Sequence, residues 1–70
     1  MKSTDISNNP QITNVEVSKA ATGLNLYFEF DGKPYIVTGD FYIDRQQVLH
    51  HTVVDENGNE LTEVLVKLEF

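Results

Sequence analysis

Apolar and polar residues alternate most regularly in the middle of the chain. From Leu24 to Phe30, every second residue is a leucine or a phenylalanine. A period of two puts alternate side chains on opposite faces of a β-strand, so this stretch predicts a strand with one buried face. The dipeptide Asp31-Gly32 follows, and it favours a two-residue hairpin turn because both residues tolerate positive φ.

The run "KPYIVTGDFYID" predicts the returning strand of this hairpin. Pro34 cannot donate a ladder hydrogen bond, so we expect it at the start of the strand or on a free edge. Gly39 interrupts the run and predicts a bulge or a sharp bend.

A second hairpin is predicted at the end of the chain, with its turn at Asn57-Gly58. β-branched residues at 52–54 favour a strand before the turn, and apolar residues alternate again over 64–70. The stretch "DRQQ" at 44–47 connects the two hairpins. An alternative is a short helix near 44–51 with Asp44 as its N-cap.

The first ten residues are polar and aperiodic, which predicts a flexible N-terminal tail over 1–10. Val15 and Val17 then share a face at strand spacing and indicate a strand over about 14–20. The remainder, 11–70, is therefore predicted to be a single all-β domain. Its fold is an antiparallel meander of about five strands with two tight hairpins, in a strongly bent sheet or a small barrel.

Composition narrows the classes of function. The 70-residue chain has no cysteine, so a disulfide framework and a cysteine-based zinc site are excluded. Its net charge is −6 and its five cations are scattered, which argues against direct binding to nucleic acid or to an anionic membrane. A polar start and the lack of a long apolar run predict a cytoplasmic protein.

The only two histidines, His50 and His51, are adjacent. Neighbours on a strand point to opposite faces, so the pair cannot ligate one ion, and we expect no metal or other cofactor. A two-residue turn at Asn57-Gly58 places His51 opposite Val64. A type I turn with a bulge at Gly58 would instead place His50 there and exchange the faces. The first register gives the better apolar row, so His51 is expected to be a half-buried packing residue.

The turn "DENGNE" resembles the start of an EF-hand loop only superficially. Gly58 falls at the fourth position, whereas that loop needs glycine at the sixth, and Val66 occupies the position of the bidentate glutamate. We therefore interpret the segment as a solvated hairpin turn. Catalysis is also not expected, because no serine, threonine or lysine is specified beside a base and no phosphate-binding loop is present.

Six of the seven aromatic residues fall within residues 27–42, more than a one-sided sheet needs. A two-residue turn places Tyr27 opposite Ile36, and Tyr42 joins them if Gly39 leaves the register unchanged. Three interpretations remain open: a curled sheet that buries part of this face, self-association as a dimer, or a site for another protein.

The leading hypothesis is a small, acidic, non-enzymatic module for protein interaction or assembly, with an aromatic sheet face and a basic partner. The predicted partner-binding residues are Tyr27, Ile36, Tyr42, Asp55, Glu56, Glu60 and Glu63. One alternative is an acidic mimic of nucleic acid that inhibits a nucleic-acid-binding protein, as phage anti-defence proteins do. Another is a structural subunit of a larger assembly.

Overall fold

The computed structural model describes residues 2–69, which form seven strands and no helix. The four-stranded sheet has the order β1-β7-β6-β5, and the three-stranded sheet has the order β2-β3-β4, all antiparallel. The all-β antiparallel class is confirmed, but seven strands replace the expected five, β1 pairs with β7, and the strands form two sheets that do not close into a barrel. The strands are β1 (Lys2–Asp5), β2 (Ile12–Ala20), β3 (Gly23–Phe30), β4 (Lys33–Val37), β5 (Tyr42–Ile43), β6 (Val48–Val54) and β7 (Glu60–Glu69).

The two sheets share one apolar core. Each sheet turns a row of alternating apolar side chains inward, as strand periodicity requires. The three-stranded sheet contributes the largest buried side chain, Phe28, and the four-stranded sheet contributes most of the rest. The buried residues are Ile12, Leu26, Phe28, Leu49, Val53, Val64, Val66 and Leu68.

The first predicted hairpin is confirmed. Phe30 pairs with Lys33, so Asp31 and Gly32 alone form the loop, with φ of 51° and 78°. Positive φ at both central residues defines a type I′ turn, whose twist matches that of the strands it joins. The same register places Tyr27 opposite Ile36.

Pro34 is the second residue of β4, which is an edge strand of its sheet. Both expected positions for this proline are therefore confirmed. Since Phe30 and Lys33 form the hydrogen-bonded pair next to the loop, the backbone of Pro34 faces away from β3. Pro34 thus removes one donor from the free edge and weakens it as a template for another strand.

One predicted strand is broken in two. The run from Lys33 to Asp44 is predicted to be one strand, but it bends at residues 38–40 and crosses between the sheets. The bend confirms the interruption predicted at Gly39. Its consequence is that Tyr42 lies in the other sheet, so the expectation that Tyr42 shares a face with Tyr27 is wrong.

Most of the clustered aromatic residues belong to the core. Phe28 is fully buried and stacks on Tyr35, with ring centroids 5.2 Å apart and planes 8° from parallel. Phe30 and Phe41 pack against the same cluster. These four of the six clustered aromatic residues fill the inner faces of the two sheets. The other two, Tyr27 and Tyr42, lie on the outer faces.

The N-terminal segment contains a strand where none was predicted. β1 pairs with β7 from Lys2–Glu69 to Asp5–Val66, and the Ile6 amide donates to the Leu65 carbonyl (2.9 Å). These contacts are made by the backbone, which needs no apolar pattern. The polar composition that predicted a loose tail therefore carried no information about the pairing.

Two hairpin turns share one architecture. In the β5–β6 turn, the Asp44 amide donates to the Val48 carbonyl (3.0 Å) and the Gln47 amide donates to the Asp44 carbonyl (3.1 Å). Asp44 Oδ1 also accepts the amides of Gln46 (2.8 Å) and Val48 (3.0 Å). This arrangement excludes the alternative of a helix over 44–51.

The β6–β7 turn repeats these bonds from Asp55. Its amide donates to the Asn59 carbonyl (2.9 Å), its carbonyl accepts the Gly58 amide (3.0 Å), and its Oδ1 accepts the amides of Asn57 and Asn59 (2.9 Å each). The residue at the fourth position has positive φ in both turns, 83° at Gly58 and 62° at Gln47.

The register of the last hairpin combines both alternatives. The turn itself is the bulged type, with Val54 opposite Glu60. An extra residue, Leu61, then shifts the register by one, so that Val53 faces Thr62 and His51 faces Val64. The preferred pairing of the histidines is confirmed, although the predicted two-residue turn is wrong.

The positive φ of Gln47 generates a stability prediction. Gln47→Gly should raise the free energy of unfolding by about 0.5–1 kcal/mol, because the relief of left-handed strain exceeds the entropy cost of glycine. Urea denaturation measures the change. Gln46→Gly is the control and should destabilise, since Gln46 has no positive φ. Equal destabilisation by both variants would contradict the prediction.

Candidate interaction site

The structure divides the predicted partner-binding residues between two surfaces. Tyr27 and Ile36 lie on the outside of the three-stranded sheet. Tyr42 pairs with His50, and Glu63 pairs with Thr52, on the outside of the four-stranded sheet. Asp55 and Glu56 belong to the turn at its end. We call the second surface the acidic face, defined by Tyr42, His50, Thr52, Glu60, Glu63 and Leu65.

Tyr42 is held in place by a short chain of contacts. Its ring stacks on the His50 imidazole, with centroids 4.6 Å apart and planes 2° from parallel. His50 Nε2 lies 2.8 Å from Asp44 Oδ2. The other carboxylate oxygen of Asp44 is held by two backbone amides of the turn. Tyr42 is nevertheless 61% exposed, so most of its surface stays accessible although one side of its ring stacks on His50.

Asp44 is electrostatically favoured in its ionised form. Its hydrogen bond to His50 and the bond from the Val48 amide lower the pKa of the carboxyl group. Asp55 has the same kind of environment, since the Asn59 amide is the main cause of its lowered pKa. Both turns therefore keep a negative charge at their first residue.

His51 lies on the inner face and is partly buried, as predicted. Its Nδ1 is 2.6 Å from the Asp40 carbonyl, which can only accept, so this nitrogen carries the proton. The ring also lies beside Phe28, with centroids 5.8 Å apart. His51 therefore fixes the bend between the sheets to the core.

The end of the acidic face carries a group of carboxylates. Glu60 and Glu63 line an open concavity of about 330 Å³, together with Thr52, Leu61 and Thr62. Within residues 2–69, no lysine or arginine nitrogen lies within 4 Å of a carboxylate oxygen, and the one basic side chain that does is His50, beside Asp44. The hairpin carboxylates are therefore not neutralised by a nearby lysine or arginine of the described chain.

The opposite surface offers a smaller patch. Ile36 is 75% exposed, but the Tyr27 hydroxyl donates to Glu29 Oε2 (2.9 Å). This bond and the charge of Glu29 raise the pKa of Tyr27. The polar tip of Tyr27 is thus already engaged within its own strand.

Asp44, His50 and Leu65 contribute to this candidate site, although the sequence did not predict them as partner-binding residues. The pairing of Tyr42 with His50 depends on the turn at 44–47, in which Gln47 has positive φ. Glutamine gives no sequence signal for such a conformation. The only local signal is Asp44, whose side chain commonly caps turns of this kind.

The described part of the chain offers no candidate for a metal site or for a membrane-spanning helix. Residues 2–69 contain no group of three histidine, aspartate or glutamate side chains arranged to hold a metal ion. The same residues also contain no helix of the length and apolarity needed to cross a membrane.

Comparison with known proteins gives no relative from which a function could be inferred. No family model, no curated protein and no solved structure matches the chain.

The lowered pKa of Asp44 predicts how the fold responds to acid. A carboxyl group with a lower pKa in the folded state contributes stability above its unfolded pKa, about 3.9. That contribution is lost as the pH falls through the folded pKa. Asp44→Asn should therefore reduce stability at pH 7 and flatten its further loss below about pH 4.

Urea denaturation at a series of pH values measures this dependence. Asp40→Asn is the control, because the backbone carbonyl of Asp40, and not its carboxylate, binds His51. An Asp44→Asn protein that loses stability in acid as steeply as the wild type would show that this carboxylate does not contribute.

Proposed function

We propose that this protein is a small, non-enzymatic interaction module that binds a basic protein through the acidic face. The observation that carries the proposal is an exposed tyrosine that stacks on His50, on the same outer face of the sheet as Glu60 and Glu63. Tyr42 is fixed by His50 and Asp44, while Glu60 and Glu63 lie on the same side of the sheet.

The chemistry of this surface suits protein binding. Tyrosine is enriched at the centres of interfaces because a rigid ring gives a large contact area at a low entropy cost. Leu65 is opposite His50 and extends the face with a partly buried apolar side chain. The surrounding carboxylates would steer a basic partner toward this contact and raise its association rate.

The pairing of Asp44 with His50 resembles a catalytic base with its orienting carboxylate, but the surroundings favour the binding role. Within residues 2–69, no hydroxyl group donates a hydrogen bond to His50, so no activated nucleophile lies beside it. Thr52 is on the same face but two positions along the strand, about 7 Å away. The imidazole instead supports the ring of Tyr42.

Affinity capture from a lysate of the source organism tests the proposal. Partners should remain bound at about 0.5 M salt, where long-range charge attraction is largely screened. They should be lost from Tyr42→Ala and retained by the matched variant Tyr27→Ala, which alters the opposite surface. Recovery of the protein's own chain alone would support self-association, and equal loss from both variants would contradict the proposed face.

A second candidate is an acidic mimic of nucleic acid. It is favoured by the hairpin carboxylates Asp55, Glu56, Glu60 and Glu63, which are not within 4 Å of a lysine or arginine in the described chain. Binding by mimicry depends on charge and should weaken steeply with salt.

The same capture distinguishes this candidate. Nucleic-acid-binding proteins should be recovered at about 0.1 M salt and lost at about 0.5 M salt. The double variant Glu60→Gln/Glu63→Gln should reduce their recovery, whereas Tyr42→Ala should have little effect. Recovery that is insensitive to salt would rule out mimicry.

A further inference from the structure

We infer that the group recognised on the acidic face is an arginine side chain of the partner, whose guanidinium stacks on the free side of the Tyr42 ring. This inference rests on the proposed function and specifies the chemistry of the partner.

Among residues 2–69, His50 is the only aromatic side chain that stacks on the Tyr42 ring, and it covers one side. His50 lies parallel to that side, with ring centroids 4.6 Å apart. β5 is the last strand of its sheet, so no further strand lies beyond Tyr42. Within residues 2–69, the only cation over an aromatic ring is Lys33, over Tyr35. The outer side of Tyr42 therefore remains open to a planar group from another molecule.

The charges around Tyr42 favour a cation there. Asp40 and Asp44 lie two positions on either side of it in the chain. Glu63 is opposite Thr52, one step along the same face from His50. Two basic side chains are also nearby. Arg45 is three residues from Tyr42 in the chain, and Lys67 lies on the same face, opposite Val48. The Lys67 ammonium donates to the Gln46 carbonyl, so its charge lies at the turn. Three carboxylates (Asp40, Asp44 and Glu63) against these two cations leave this end of the face with a net charge of −1.

The ring is also pre-organised. Two backbone amides hold Asp44, Asp44 holds His50, and His50 supports Tyr42. A partner group that stacks on a fixed ring loses less conformational entropy on binding than one that must first order it. The same arrangement puts a carboxylate close to the ring, where it adds to the attraction for a cation.

These features select arginine over lysine. A guanidinium is planar, weakly hydrated and able to stack on an aromatic ring while it donates to a carboxylate. The lysine ammonium is compact and strongly hydrated, so it gains less from the ring face.

Two blocked peptides of equal charge test the inference, one of alternating glycine and arginine and the other of alternating glycine and lysine. Titration of the full chain, followed by NMR, should show about three- to fivefold tighter binding of the arginine peptide. Tyr42→Leu should abolish this preference, whereas Tyr42→Phe, which keeps the ring, and Tyr27→Leu should preserve it.

His50→Ala adds a test of positioning. It should reduce the preference for arginine while leaving the weaker binding of the lysine peptide unchanged, because the ring loses its support. Equal binding of both peptides, or an equal effect of Tyr27→Leu and Tyr42→Leu, would overturn the inference. If the affinity capture still found a partner that depends on Tyr42, the proposed function would stand without the arginine.

Discussion

Every part of this small fold depends on keeping one row of apolar side chains turned inward on each of two sheets. Eight buried residues form the core of the described chain, and with no cysteine in the sequence no disulfide supports it. A slip of one residue would turn a whole row outward.

The extra residues in β2 and β7 keep these apolar rows facing inward. Asn14, with φ of 51°, lies in a bulge that lets Ile12 and Val17 face the same core despite their odd spacing. Leu61 corrects the register after the last turn in the same way.

The limits of sequence-based prediction follow from the same constraint. The alternation in β3 determines which side chains are buried, and Asp31-Gly32 determines a two-residue turn. The register of the first hairpin could therefore be predicted to the residue. The bulges at Asn14 and Leu61 could not, because they are selected by the opposing strand and leave no local pattern. β1 is held by backbone bonds and also has no apolar signature. The bend at Gly39 was visible, but the sequence does not say that it carries the chain into a second sheet.

That one bend also decides the candidate site. On a single sheet, Tyr27, Ile36 and Tyr42 would form one aromatic face, as the spacing suggested. With two sheets, Tyr42 moves to the side that carries Glu60 and Glu63. The residue types of the predicted site could be chosen from the sequence, but their grouping required the topology. The contact of His50 with Tyr42 could not be predicted, because it depends on a turn that no glycine marks.

The two turns that begin at Asp44 and Asp55 use the same hydrogen bonds to different ends. At Asp44 the second carboxylate oxygen reaches His50 and, through it, fixes Tyr42. At Asp55, as far as the described residues show, the second oxygen accepts only the Asn59 side chain (3.2 Å), which belongs to the same turn. The first turn therefore orders an aromatic side chain, and the second carries a charge without ordering a neighbouring side chain.

A rigid ring suits a contact that must be specific, since it loses little entropy on binding. Exposed carboxylates act at longer range and mainly affect the rate of encounter. The acidic face thus carries two different features on one sheet, an ordered ring and exposed carboxylates, each next to a turn of the same kind.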